Sequence, residues 1–244
     1  MKAVRILLHA LRQVLGNLKQ AIALSAVPLA VGLCMGAGLI AVARYWAKPP
    51  GIGGGGLVTA LLSYVLLMAW LAVRWHRFIL LDEHKHLLAP PSRTPFWRYI
   101  GALLRSIVII VPAILAMLAA LFVVSEVGSG ILTIVVMVVM NLLFFGLLLI
   151  LGAALAGAAV GAPSPIRTAW EKMKPAGGTL LVLSLTAFIG NEVVEAIMEA
   201  TASSRWPDLA KVIAMVCYFW LSVLFSLSVL TTLWGHYVEG RPLR

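Results

Sequence analysis

The sequence predicts an all-α polytopic membrane protein, with six transmembrane helices arranged as three hairpins behind an N-terminal amphipathic interfacial helix. Three observations predict it. Of the 244 residues 62% are hydrophobic and 11% charged, against about half and about a quarter in a soluble globular domain. The apolar residues gather into six runs, at about 21–43, 57–79, 105–124, 131–155, 178–200 and 212–234, each near the roughly 20 residues that cross about 30 Å of hydrocarbon. The basic residues fall between or at the ends of these runs. The composition excludes a disordered chain, a disulfide-stapled miniprotein and an ordinary soluble enzyme. Strands are excluded because a barrel segment alternates with period two over about ten residues, and these runs are continuous.

Residues 1–20 read as a surface helix. Val4, Leu7, Leu8, Leu11, Val14, Leu15 and Leu18 recur on one face, and Lys2, Arg5, His9, Arg12 and Lys19 on the other, the pattern of a helix lying in the membrane interface. The alternative is a cytoplasmic helix packed on another protein. Residues 21–238 read as a six-span bundle, so residues 1–244 form a single integral membrane domain. The first run is longer than the apolar stretch of a signal peptide, about 7–15 residues, and is expected to be a retained span. Between spans one and two, Gly51-Ile52-Gly53-Gly54-Gly55-Gly56 lacks the Lys-Ser/Thr of a phosphate-cradling loop and reads as a flexible turn. Basic, aromatic segments at 93–106 and 164–174 lead into spans three and five, and Pro28 and Pro112 sit at similar depths in spans one and three, which suggests three hairpins in series. The fourth apolar run continues to Gly161, so that helix should tilt, bend or emerge from the bilayer. Cys34 and Cys217 fall inside apolar runs and are expected to be free, buried and inert.

Fifteen of the 19 Lys and Arg fall on the side of the two termini and four on the other. The positive-inside bias therefore puts both termini in the cytoplasm, and an even number of spans independently requires the termini to share a side. The net charge of +10 is spread around the spans rather than along one polar face, which points to anionic membrane lipids and away from nucleic acid.

Three groups of residues are candidates for a site. Asn191, Glu192, Glu195 and Glu199 lie in the outer half of span five, the glutamates at i, i+3 and i+7 on one face. An ionised carboxylate in hydrocarbon costs a few kcal/mol. Either these groups form an intramembrane relay or cavity, or the helix ends near Gly190 and they cap an outer turn, pairing with Arg44, Lys48, Arg205 or Lys211. The second group is a set of lipid-headgroup anchors: Arg5, Arg12 and Lys19 in the surface helix, Arg74, Trp75, His76 and Arg77 at the end of span two, Trp97 and Arg98 before span three, and Trp170 before span five. A metal site from His76, Glu83 and His86 competes weakly with that anchor, because its spacing is looser than a strong zinc motif. The alternative is a bridge from Arg74 or Arg77 to Glu83 or Glu171. The third is the series Gly152, Ala153, Ala156, Gly157 and Gly161, whose small side chains let helices approach, for internal packing or for self-association. Asn141 reads as a helix–helix hydrogen bond, and Met117, Met137, Met140 and Met215 as packing. No nucleophile has a base beside it, and neither a cofactor nor a metal is expected.

The stretch Trp75-His76-Arg77-Phe78-Ile79-Leu80-Leu81-Asp82-Glu83 resembles a group of uncharacterised multi-pass inner-membrane proteins of alphaproteobacteria. It is also loosely similar to the membrane region attached to some bacterial glycerophosphodiester phosphodiesterases, whose chemistry resides on a separate soluble domain. The resemblance implies the six-span architecture and a bacterial inner-membrane setting, and no activity. The expected function is non-enzymatic: scaffolding or organising lipid and protein partners at the cytoplasmic membrane. The alternative is a small transporter or channel using Glu192 and Glu195.

Overall fold

The computed structural model describes residues 2–45, 54–83, 93–126, 128–204 and 206–243, and among them every regular element is helical. In chain order these are α1 (Lys2–Gly16), α2 (Leu18–Tyr45), α3 (Gly54–Leu81), α4 (Arg93–Glu126), α5 (Gly130–Val160), α6 (Pro165–Met173), a 3-10 turn (Lys174–Ala176), α7 (Gly177–Ser203) and α8 (Asp208–Tyr237). Six of the helical segments are long and apolar enough to cross a membrane, the fifth being the stretch from α6 through α7. The chain is thus a multi-pass membrane protein by length and composition. Helices suit these runs because hydrocarbon offers the backbone no partner, and a helix satisfies its amides internally.

The helix ends follow local chemistry. Ser129 caps α5 by accepting the Leu132 N–H. At the other end Gly161 takes φ +88°, and the Gly161 and Ala162 amides donate back to Ala158 and Gly157, a glycine-terminated cap that a side chain would strain. The basic segment 93–106 contains only Pro95 in the first turn and one Gly101, which a helix tolerates, so α4 begins twelve residues before the apolar run it continues. Segment 164–174 instead forms the separate helix α6, stopped ahead of Pro175 and Gly177-Gly178.

Burial is strongly one-sided. Buried residues concentrate at Leu71–His76 of α3, Tyr99–Ser106 of α4, Ile150–Ala159 of α5, Leu180–Ser184 of α7 and Leu224–Gly235 of α8. This closed end carries both chain termini. Beyond Ser106, α4 has no buried residue; α5 has none before Ile150 and α7 none after Ser184. The change is written in α5, where a run of Ile, Val, Leu, Met and Phe gives way at Gly152 to Gly and Ala. The small residues let α8 approach: Gly152 lies against Leu230, and Gly157 against the Trp234 ring. The small-residue series therefore serves internal packing, and Ile150–Ala159 of α5 is almost wholly buried among its neighbours.

Helix α1 packs on α8 and, to a lesser extent, on α7. Ala3, Ile6, Ala10 and Val14 are buried there, and the Thr232 hydroxyl donates to Gln13 Oε1 at 3.4 Å. Val4, Leu8, Leu11 and Leu15 form a second, exposed apolar ridge, while Lys2, Arg5 and Arg12 are exposed on a third side. The two-faced reading of this helix is thereby corrected, since Val14 belongs to the docked face and not to the exposed ridge. Ile6→Val deletes one methylene from a filled site and is expected to lower stability by about 1 kcal/mol. Leu15→Val, on the open ridge, is expected to leave thermal unfolding in detergent unchanged.

Cys34 and Cys217 are free but exposed, which corrects the expectation of burial: in a membrane protein an apolar residue is equally at home facing lipid. Asn141 donates to Met137 O within its own helix at 2.9 Å, not across to another.

Candidate functional site

The end of α3 is structural. Trp75 and His76 are fully buried and Arg74 nearly so. The Trp75 indole N–H donates to Ser228 Oγ at 3.0 Å. His76 Nδ1 lies 2.7 Å from Thr231 Oγ1, whose hydroxyl donates to Leu227 O. The imidazole therefore carries its proton on Nδ1 and donates it to Thr231. Arg74 lies over the Trp70 ring, 5.0 Å from its centroid. Arg77 pairs with Glu83 through Nε at 2.5 Å and donates from Nη1 to Ala159 O at 3.0 Å. The expected headgroup anchors are thus corrected: Ser228 and Thr231 of α8 hold Trp75 and His76 inside the closed end, Arg74 lies against Trp70, and Arg77 is partly buried between Glu83 and the carbonyl end of α5. The Arg77–Glu83 bridge is present, and Glu171 pairs with Arg167. His76 and Glu83 are engaged separately, and His86 lies outside the described residues.

Helix α7 runs unbroken past Gly190 to Ser203, so the expectation of an early end there is corrected. Asn191, Glu192, Glu195 and Glu199 are all exposed. The Asn191 amide donates to Glu195 Oε1 at 2.9 Å. Lys211 donates to Ala202 O rather than to a carboxylate. The side chain of Arg44, together with Lys48 and Arg205, lies outside the described residues.

Three cavities stand out among the described residues. One of about 300 Å³ lies between α1, the ends of α3 and α8, and the returning tail, lined by His9, Gln13, Thr232, His236 and Arg241. Arg241 closes its rim by donating to Leu80 O at 2.6 Å and pairing with Glu239. A second, of about 390 Å³, is almost wholly apolar and lies between α2, α3, α7 and α8 beside Tyr64, Met68, Met215 and Trp220. The third is a groove of about 550 Å³ between the first turns of α4 and the α5–α6 connection, lined by Thr94, Trp97, Arg98, Arg105, Gly161 and Ser164 among others.

Of the expected anchors, Arg5, Arg12, Lys19, Trp97, Arg98 and Trp170 are exposed at or near the closed end. Among the described residues, Trp97 and Arg98 line one cavity together. Sequence reasoning missed Arg105 as their companion. The signal was present in its seven-residue offset from Arg98, two turns along one helix face, but it counts only once α4 is known to start at Arg93. Comparison of the chain with protein-family models, curated proteins and solved structures finds no match.

Proposed function

We propose that this chain is a non-enzymatic scaffold of the bacterial inner membrane that gathers anionic lipid, and through it protein partners, at the cytoplasmic face. In this reading the closed end and both termini face the cytoplasm, the spans insert as three hairpins, and α1 lies in the interface. The resemblance of the 75–83 stretch to alphaproteobacterial inner-membrane proteins supports the setting, and the bias in basic residues supports the orientation.

The observation that carries the proposal is the three-sided α1. Its inner side is fixed to α8, so the exposed ridge of Val4, Leu8, Leu11 and Leu15 and the adjacent Arg5 and Arg12 are held as one rigid amphiphilic edge. Apolar area entering the acyl boundary beside cations at the phosphate plane is the chemistry of an interfacial helix on an anionic leaflet. Replacing Arg5, Arg12 and Lys19 together by Gln is expected to reduce retention of phosphatidylglycerol by the purified chain at least tenfold, since each cation near the surface contributes about 1 kcal/mol. Unchanged retention, read by lipid analysis after mild-detergent purification, counts against the scaffold.

A second reading, a small transporter or channel, draws on the continuation of α7 through Glu192 and Glu195. In proteoliposomes Glu192→Gln and Glu195→Gln are expected to fold and insert normally. Loss of a proton- or cation-coupled flux in either would favour transport over scaffolding.

A further inference from the structure

We infer that the groove between α4 and the α5–α6 connection is a binding site for the phosphodiester headgroup of one anionic glycerophospholipid, with Arg98 and Arg105 as its cationic jaws. The inference deepens the scaffold reading and rests on it, because it turns a general attraction to anionic lipid into a single defined site away from α1.

The first argument is charge without a partner. Among the described residues neither guanidinium makes an ion pair or a hydrogen bond, whereas Arg77, Arg167 and Arg241 each hold a glutamate. No carboxylate is among the residues lining the groove. Arg98 nevertheless lies against the end of α5: an added Cβ at Gly161 would stand 3.0 Å from its Nη1. That position is the carboxyl end of α5, where the helix dipole favours a cation. The dipole thus favours the charge at this place without neutralising it, and Arg98 in turn screens the α5 carbonyls from an incoming anion. Arg105 follows two turns on, about 10 Å along the axis, long enough to close on a phosphate from the other side. Arginine suits this task because its planar fork donates two parallel hydrogen bonds to phosphate oxygens. Thr94 adds a hydroxyl at the mouth of the groove.

The second argument selects a lipid over a free anion. Thr94, Arg98, Gly101, Arg105, Val108, Pro112 and Leu115 step along α4 by four and three residues alternately, which is one helix face. Past Arg105 that face is apolar and bare, with Val108 71% and Leu115 61% exposed. An occupant must be anionic at the groove and apolar immediately beyond it, in line along the span. Exposed Trp97, 63% accessible, flanks the groove as indoles do at headgroup depth.

The test uses the full chain and competing lipids. Protein purified in mild detergent is titrated with phosphatidylglycerol, phosphatidylcholine or inorganic phosphate, and bound lipid is counted by native mass spectrometry. The wild type is expected to hold one phosphatidylglycerol in preference to phosphatidylcholine. Arg98→Gln with Arg105→Gln is expected to weaken that adduct about thirtyfold, the combined effect of two interfacial cations. Arg5→Gln with Arg12→Gln should leave this one adduct in place while reducing looser lipid. If the double variant in α4 keeps the adduct and the α1 variant loses it, the groove is not the site and the scaffold stands. If inorganic phosphate displaces the lipid at equal concentration, the site is for free phosphate and the lipid assignment is overturned. If the wild type shows no preference for the anionic lipid, the scaffold reading falls and the site with it.

Discussion

Gly157→Ala is expected to destabilise the protein by about 3 kcal/mol, the upper end for overpacking a filled core. A single methyl there runs into the six-membered ring of Trp234. That ring cannot step aside: it is 2% exposed, and its N–H is tied to Glu239 Oε1 at 2.8 Å. Helices α5 and α8 would have to separate, and the α1 docking site on α8 would be disturbed with them. Gly152→Ala makes the useful contrast. Its Cβ would meet the end of the Leu230 side chain at 2.6 Å, a flexible group that is only partly buried and can change rotamer, so the loss should be well under half as large. Thermal unfolding of both variants in one detergent, scored by loss of monodisperse protein, checks the ordering. Equal melting temperatures would mean that the α5–α8 approach does not hold the closed end together.

Trp75→Ala is expected to have a similar or larger effect. In a bilayer the unfolded reference is itself surrounded by hydrocarbon, so the transfer from water that dominates soluble cores largely drops out. What remains is the void. Removing the indole leaves a cavity of roughly 130 Å³, which at about 24 cal/mol per Å³ costs about 3 kcal/mol. Ser228 then loses its partner in a fully buried site, adding about 1 kcal/mol. Trp75→Phe separates the two contributions: it fills most of the void and loses only the hydrogen bond, so about 1–2 kcal/mol is expected. Were Trp75 a headgroup anchor instead, both variants would leave unfolding in detergent unchanged and alter only partitioning into bilayers.

The spans were legible because their signal is additive: twenty apolar residues in a row mean the same thing wherever their neighbours are. The helix faces were harder to read. Hydrophobicity separates buried from exposed only where the surroundings are water, so Cys34 and Cys217, placed inside by composition, face outward. The leucine spacing of α1 distinguishes apolar from basic, yet a docked side made largely of alanine, Ala3 and Ala10 around Ile6, does not stand out beside a leucine ridge. Trp75 and His76 defeated local reading altogether. A tryptophan and a histidine among arginines at a span's end have the composition of an interfacial belt, and what draws them inward is Ser228 and Thr231, more than 150 residues away. In α7 the glycine at 190 suggested a stop, but one glycine costs a helix only about 1 kcal/mol, too little to break a segment whose backbone has no other partner in lipid. The groove required both a corrected helix start and the left-handed cap at Gly161, so its arginines were visible individually but not as a pair.

The docking of α1 onto α8 has a bearing on biogenesis. Gln13 and Thr232 stand 219 residues apart in the chain, so α1 is synthesised long before the helix on which it mainly docks. Until α8 is made, α1 lacks its main docking partner. The final tertiary latch is then a post-insertion event, and a ribosome stalled ahead of α8 would leave a threaded but unlatched polypeptide for quality-control proteases to remove.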